Sequence, residues 1–231
     1  MMTFVLATRN AHKVAEIRAL LPETVSFLTL HEFPGAPKTV EDADSFSGNA
    51  AKKSVELAHW LAGISSDKLR PAETGEIFAL ADDSGLEVDA LNGAPGIYSA
   101  RFAAEDSGGK ENSPDAANNE KLLRLLENIP PKKRTARFRC CIALTPVASP
   151  EIRSHSPVCA ADEVEFQTEI FEGTCEGKII ASASGQGGFG YDPLFVPQGF
   201  EKSFAELGDV KKNKISHRAK ALEKLRKRLA G

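Results

Sequence analysis

The sequence predicts an α/β protein built on a mixed sheet. Two observations carry that prediction. Short β-prone runs alternate with amphipathic helical patterns early in the chain, and long strand-like runs dominate its middle. A third bears on organisation: no internal repeat and no obvious linker divides the 231 residues, a length that suits one domain or one domain of two lobes.

Residues 3–7 (TFVLA) read as the first strand. A helix fits 12–21, with Val14, Ile17, Leu20 and Leu21 on one face, and Pro22 stops it. VSFLTL (25–30) is a second strand. Residues 31–45 are loop-like and end in Glu41, Asp42 and Asp44. A helix fits 46–62 on Ala50, Val55, Leu57, Ala58 and Leu61. Residues 63–75 are polar and read as a surface insertion. EIFALA (76–81) is a strand ending in Asp82 and Asp83, and LEVDAL continues as extended structure. A helix near 114–128 offers Leu122, Leu123, Leu125 and Leu126 to the core. Residues 135–146 form a long strand, and a second polar insertion spans 148–162. VEFQTEIFEGTCEGKII reads as a strand pair or one bent strand, followed by a Gly-rich segment. The last helix, 215–229, carries Ile215, Ala219, Leu222, Leu225 and Leu229 on one stripe.

Composition narrows the function classes. An apolar fraction of 42% and a charged fraction of 26% are those of an ordinary globular protein. A net charge of −3 gives no whole-molecule attraction to a nucleic acid polymer or an anionic membrane. No apolar run is long enough to span a bilayer, and the N-terminus lacks a signal-peptide pattern. Cys140, Cys141, Cys159 and Cys175 show no metal-ligand spacing and suit reduced thiols in a cytoplasmic protein.

Three constellations could carry chemistry. The turn Thr8-Arg9-Asn10-Ala11-His12-Lys13 joins a strand to a helix, where unpaired N–H groups make an anion site. Cations in the first helical turn oppose the macrodipole. His12 and Lys13 there are either solvated surface residues or partners of an absent anion. The last helix repeats the pattern: Lys211, Lys212 and Lys214 lead in, Ser216 is a cap, and His217 and Arg218 occupy the first turn. The basic run 220–228 beyond is a solvated face.

The acidic set is the second. Asp82 and Asp83 at a strand end repel unless a cation lies beside them. With Glu41 they offer hard oxygen ligands of the kind Mg²⁺ takes alongside waters and substrate phosphates. The competing reading is turn chemistry at Asp-Ser-Gly. The third is SGQGGFGYDP (184–193). Its formal GxGxxG lacks the helix that a dinucleotide fingerprint needs, since two prolines follow. Either it is a tight turn at a sheet edge, or its glycines admit a flat ligand with Phe189 free to stack on it.

Taken together, T8-x-N10-x-x-K13, A81-D82-D83-S84-G85, GAPGIYSAR (93–101), GFGYDP (188–193) and ISHR (215–218) resemble the inosine triphosphate pyrophosphatases, in family order and over nearly the whole chain. The resemblance implies an elongated central mixed sheet flanked by helices, with two lobes and an active-site cleft, within one domain over 1–231. It implies hydrolysis of non-canonical purine nucleoside triphosphates (XTP, ITP, dITP) to the monophosphate and pyrophosphate, with Mg²⁺, in a homodimer. Asp83 matches the general base, and Glu41 with Asp83 the metal ligands. Thr8, Arg9, Asn10, Ala11, His12, Lys13, Ser84, Phe189, Gly190, Tyr191, Asp192, Lys212, His217 and Arg218 match nucleotide-contacting positions. Ala43 and Gly48 depart from the family pattern beside Glu41, whereas Asn49, Ala50 and Lys53 keep it. The alternatives are a pyrophosphatase of a modified pyrimidine nucleotide and a nucleotide-binding regulator that does not hydrolyse.

Overall fold

The computed structural model describes residues 2–64, 69, 76–109, 111–147 and 167–230. Most of the two polar insertions expected at 63–75 and 148–162, with Cys159, lies outside the described residues. Among the described residues six strands form one sheet in the order β2-β1-β3-β4-β5-β6. They are β1 (Met2–Leu6), β2 (Val25–Thr29), β3 (Ile77–Val88), β4 (Thr135–Pro146), β5 (Glu169–Ile179) and β6 (Phe195–Pro197). The helices are α1 (Ala11–Leu20), α2 (Phe46–Gly63), α3 (Asp115–Leu125), α4 (Phe204–Ile215) and α5 (His217–Ala230). β1 pairs in parallel with β2 and β3, and β5 pairs antiparallel with β6, so the sheet is mixed as expected. Among the described residues no helix is long and apolar enough to cross a membrane.

The chain divides into two compact units, Met1–Asp82 with Ile142–Phe171, and Asp83–Cys141 with Glu172–Gly231. In the first, Phe4, Val5 and Leu6 are fully buried, the signature of a parallel strand covered on both faces. Phe27 and Phe78 meet the Phe4 ring edge-on at 6.0 and 5.9 Å. The core gathers Val5, Leu30, Phe33, Leu57, Ala58, Leu61 and Ala79. Ser45 caps α2, its hydroxyl accepting the Gly48 N–H.

In the second unit one face of the sheet is apolar and the other charged. Ala136 and Phe138 of β4 pack with Leu86 and Val88 of β3 and with Phe195 and Phe204. Alternating with them along β4, Arg137 pairs with Asp89 and Glu176, and Arg139 with Glu87 and Glu172. This period of two is that of a half-solvated sheet.

Several expectations change. Asp82 and Asp83 do not end a strand: β3 runs through them for 12 residues. Successive side chains of a strand point to opposite faces, so the two carboxylates are kept apart by backbone geometry, and the Asp-Ser-Gly turn does not form. GIYSAR is a 3-10 helix, Gly96–Arg101. Leu125 is exposed, because α3 turns only Leu122 and, just past its end, Leu126 fully inward. Residues 169–179 form a single strand. Lys211, Lys212 and Lys214 belong to α4, Lys212 and Lys214 in its last turn, which favours cations, so they are not a lead-in to α5. No helix is expected from the sequence at α4, whose one local signal is Ser203-x-x-Glu206. That pair forms a capping box, the Ser203 hydroxyl accepting the Glu206 N–H while Glu206 accepts the Ser203 N–H.

Cys140, Cys141 and Cys175 are buried thiols outside any disulfide. Burial, then the Glu172 carboxylate, pushes Cys141 up to about 12, and burial pushes Cys175 up to about 11. A thiol rather than a thiolate is a poor nucleophile. Peptide mapping after iodoacetamide at pH 8 should therefore find these three unmodified in the native protein and fully modified in denaturant. Rapid native labelling of any of them would contradict their burial.

Candidate active site

Two groups of predicted residues take shape, one in each unit. In the first, the β1–α1 turn is organised by its own side chains. The Thr8 hydroxyl accepts the Asn10 N–H at 3.1 Å. Asn10 is the N-cap of α1: its side-chain oxygen accepts the N–H groups of His12 and Lys13 at 2.9 and 3.1 Å. Two donors expected for an anion are therefore engaged by the cap. Arg9, Asn10, Ala11 and His12 are exposed, and Thr8 and Lys13 half-buried.

Lys13 reaches from the first turn to Asp82, with Nζ 2.5 Å from a carboxylate oxygen whose side chain is fully buried. A cation at the unfavourable end of a helix is thus matched by a buried anion on β3. Lys53 supplies a second cation. Its Nζ lies 2.8 Å from the Asp82 carbonyl oxygen and 3.1 Å from the Glu41 carboxylate. Asn49, one turn earlier on α2, accepts the Ala43 N–H at 3.0 Å and so fastens the acidic loop. Neither Asn49 nor Lys53 was singled out as a site residue in the sequence. The signal was there: both share the inward stripe of α2 with Ala50 and Leu57, and a lysine on such a stripe needs a partner.

In the second unit Asp83 is buried at 6% exposure, and its charge adds to the upward push on the Cys141 thiol. Ser84 accepts a hydrogen bond from Arg218 at 2.8 Å. Ser216 caps α5 through the Ala219 N–H, which places His217 and Arg218 in its first turn as expected. The His217 ring stacks on Phe138, centroids 4.8 Å apart. Gly173 of β5 allows this arrangement. A Cβ there would collide with the His217 carbonyl oxygen, leaving room for no other side chain.

The Gly-rich segment closes on Asp192. This carboxylate accepts the Phe189 N–H at 2.9 Å and pairs with Lys212 at 2.5 Å, both side chains 2% exposed. Gly188 has φ +74°, and a Cβ there would strike the same carboxylate. Lys212 also lies 4.4 Å from the Phe189 ring centroid. Tyr191 is buried and donates to the Ser99 carbonyl oxygen at 2.9 Å, with burial pushing its phenol above the usual range. Gly190 is held by α3, through Asp115 and Asn119.

Among the described residues no three His, Cys, Asp or Glu side chains converge into a metal-holding group. Mg²⁺ commonly takes only one or two carboxylates, completing its shell with waters and phosphate oxygens, so carboxylates such as Glu41 and Asp83 fit its chemistry.

The similarity of this chain to known proteins extends over nearly its whole length. A protein from Desulforamulus reducens named dITP/XTP pyrophosphatase is 47% identical, over 96% of this chain and 93% of its own. One of the same name from Clostridium perfringens is 41% identical, over 100% and 98%. The Staphylococcus aureus Ham1 protein superposes with a TM-score of 0.74 at 34% identity, covering 99% of this chain and 98% of its own. A HAM1 protein from Coxiella burnetii does so with a TM-score of 0.74 at 35% identity, covering 100% and 99%. The Ham1 family model matches residues 4–228, and the chain belongs to that family.

Proposed function

We propose that this protein hydrolyses non-canonical purine nucleoside triphosphates, dITP, XTP and ITP, to the monophosphate and pyrophosphate. The observation that carries the reading is its near-full-length identity to relatives named dITP/XTP pyrophosphatase. In the reaction a water oxygen attacks the α-phosphorus, the bond to the bridging oxygen breaks, pyrophosphate leaves, and Asp83 accepts the water's proton. Lys13 and Lys212 offer cationic donors to the phosphates, and Thr8 to His12 shape the turn beside them. Glu41 and Asp83 are the carboxylates that would hold Mg²⁺, which when bound neutralises phosphate charge and acidifies a coordinated water. Phe189 offers a face to the base, with Gly190, Tyr191 and Asp192 shaping its turn. A single two-lobed domain, a homodimer and a cytoplasmic location complete the proposal.

Base choice follows from donor chemistry. Arg218 has only donors, and His217 can offer one. A 6-oxo purine presents an acceptor to them, whereas the 6-amino group of adenine presents a donor; guanine shares the 6-oxo group, so its rejection acts around the 2-position and not through this pair. Arg218→Ala should lower the dITP-over-dATP ratio of kcat/KM by about 10- to 100-fold, the worth of one buried hydrogen-bonding group. An unchanged ratio would refute Arg218 as the selector.

The deciding experiment measures pyrophosphate release from dITP, XTP, GTP, ATP and dUTP, with Mg²⁺ and after chelation. Turnover is expected on dITP and XTP with Mg²⁺ only. Inactivity on both would sink the reading, and turnover of dUTP alone would favour the pyrimidine alternative.

A further inference from the structure

We propose that Asp115 and Asn119 are positioning residues that set the orientation of the Phe189 ring by clamping the peptide that follows it; this rests on the proposed role of Phe189 in facing the purine base. Both residues lie on α3, four apart, and so project from one side of the helix. The Asp115 carboxylate accepts the Gly190 N–H at 2.6 Å. The Asn119 side-chain amide donates to the Gly190 carbonyl oxygen at 3.0 Å. Both backbone polar groups of one residue are thus held from a single helix.

Gly190 needs such holding. Its φ of +62° lies in the left-handed region, one of many conformations open to glycine. Fixing its N–H fixes the Phe189–Gly190 peptide plane, and fixing its carbonyl fixes the next. On the other side, the Phe189 N–H is already taken by Asp192. The backbone on both sides of the ring is therefore pinned, once by Asp192 and once by α3.

The helix that does the pinning is itself anchored. Asn118 accepts the Ala103 N–H and donates to the Ala100 carbonyl oxygen, and Lys121 donates to the Phe102 carbonyl oxygen. The clamp therefore transmits a fixed frame and not a mobile one. A ring already in place removes the ordering cost that the base would otherwise meet on binding. The effect belongs to binding of the base, common to ground and transition states, so it acts on KM and not on kcat.

Position 115 also lies in the first turn of α3, where a negative charge interacts with the helix dipole. Asparagine separates the two roles, since its carbonyl oxygen still accepts the Gly190 N–H but carries no charge. Steady-state kinetics with dITP and Mg²⁺ should compare wild type, Asp115→Ala/Asn119→Ala and Asp115→Asn. Inorganic tripolyphosphate serves as a competitive probe of the phosphate half alone. The double variant should raise KM for dITP about tenfold, the equivalent of one or two side chains left to be ordered, with kcat and tripolyphosphate inhibition within about twofold. Asp115→Asn should keep the wild-type KM.

An unchanged KM in the double variant would overturn the clamp. So would a parallel loss of tripolyphosphate inhibition, or an Asp115→Asn variant with a KM as high as that of the double variant. Amide hydrogen exchange at Gly190 in the nucleotide-free protein reads the clamp without turnover: protection present in wild type should vanish in the double variant, and its persistence would refute the proposal. A wild-type enzyme inert toward dITP would instead refute the proposed function, and the exchange measurement would then decide the clamp by itself.

Discussion

Asp83→Asn should reduce pyrophosphate release from dITP by about 10²- to 10⁴-fold, the usual worth of a positioned general base. The substitution is nearly isosteric, so the buried side chain keeps its packing while losing its ability to take a proton. Asp82→Asn provides the contrast. Asp82 lies on the opposite face of β3 and pairs with Lys13, so its loss frees a cation beside the β1–α1 turn. Its effect should fall mainly on KM, through Lys13, with kcat reduced far less than in Asp83→Asn. Pyrophosphate release at saturating dITP, together with the KM of each variant, measures the difference. An Asp83→Asn enzyme within tenfold of wild type would remove Asp83 as the proton acceptor.

Lys212→Met should destabilise the protein by about 3–5 kcal/mol, because it strips the partner from a buried carboxylate. Lys212 and Asp192 are each 2% exposed and lie 2.5 Å apart, so solvent does little to replace the lost charge. In a chain of this length that corresponds to a fall in Tm of about 2–4 °C per kcal/mol. Urea denaturation of Lys212→Met, Asp192→Asn and the double variant tests it. Asparagine at 192 still accepts the Phe189 N–H but carries no charge, so the double variant should cost less than the two single variants added together. A Lys212→Met cost below about 1 kcal/mol would mean that the pair behaves as a solvated surface ion pair.

Much of the fold was legible in local pattern. The first strand, α1, the second strand, α2 and the strand 135–146 lie close to where apolar runs, helical spacing and breakers place them. The C-terminal stripe from Ala219 to Leu225 held as well, and so did the Ser216 cap. α4 was missed: the kink at Gly208 interrupts its period, and its hydrophobic signal is short. The charged residues show the same division. The composition of the acidic and basic sets could be read in order along the chain, since motif spacing is a local property.

Which carboxylate meets which cation could not. Asp82 with Lys13, Lys53 with Glu41, and Lys212 with Asp192 are pairings between residues far apart in sequence. A pairing of this kind depends on which elements pack together, and local propensity carries no information about that. The adjacent aspartates are the clearest case. The sequence by itself determined that two negative charges stand side by side after an apolar run. Only the tertiary structure decided that the strand continues through them, because β3 lies inside the sheet between β1 and β4, and a strand flanked by neighbours has backbone partners that an isolated segment lacks.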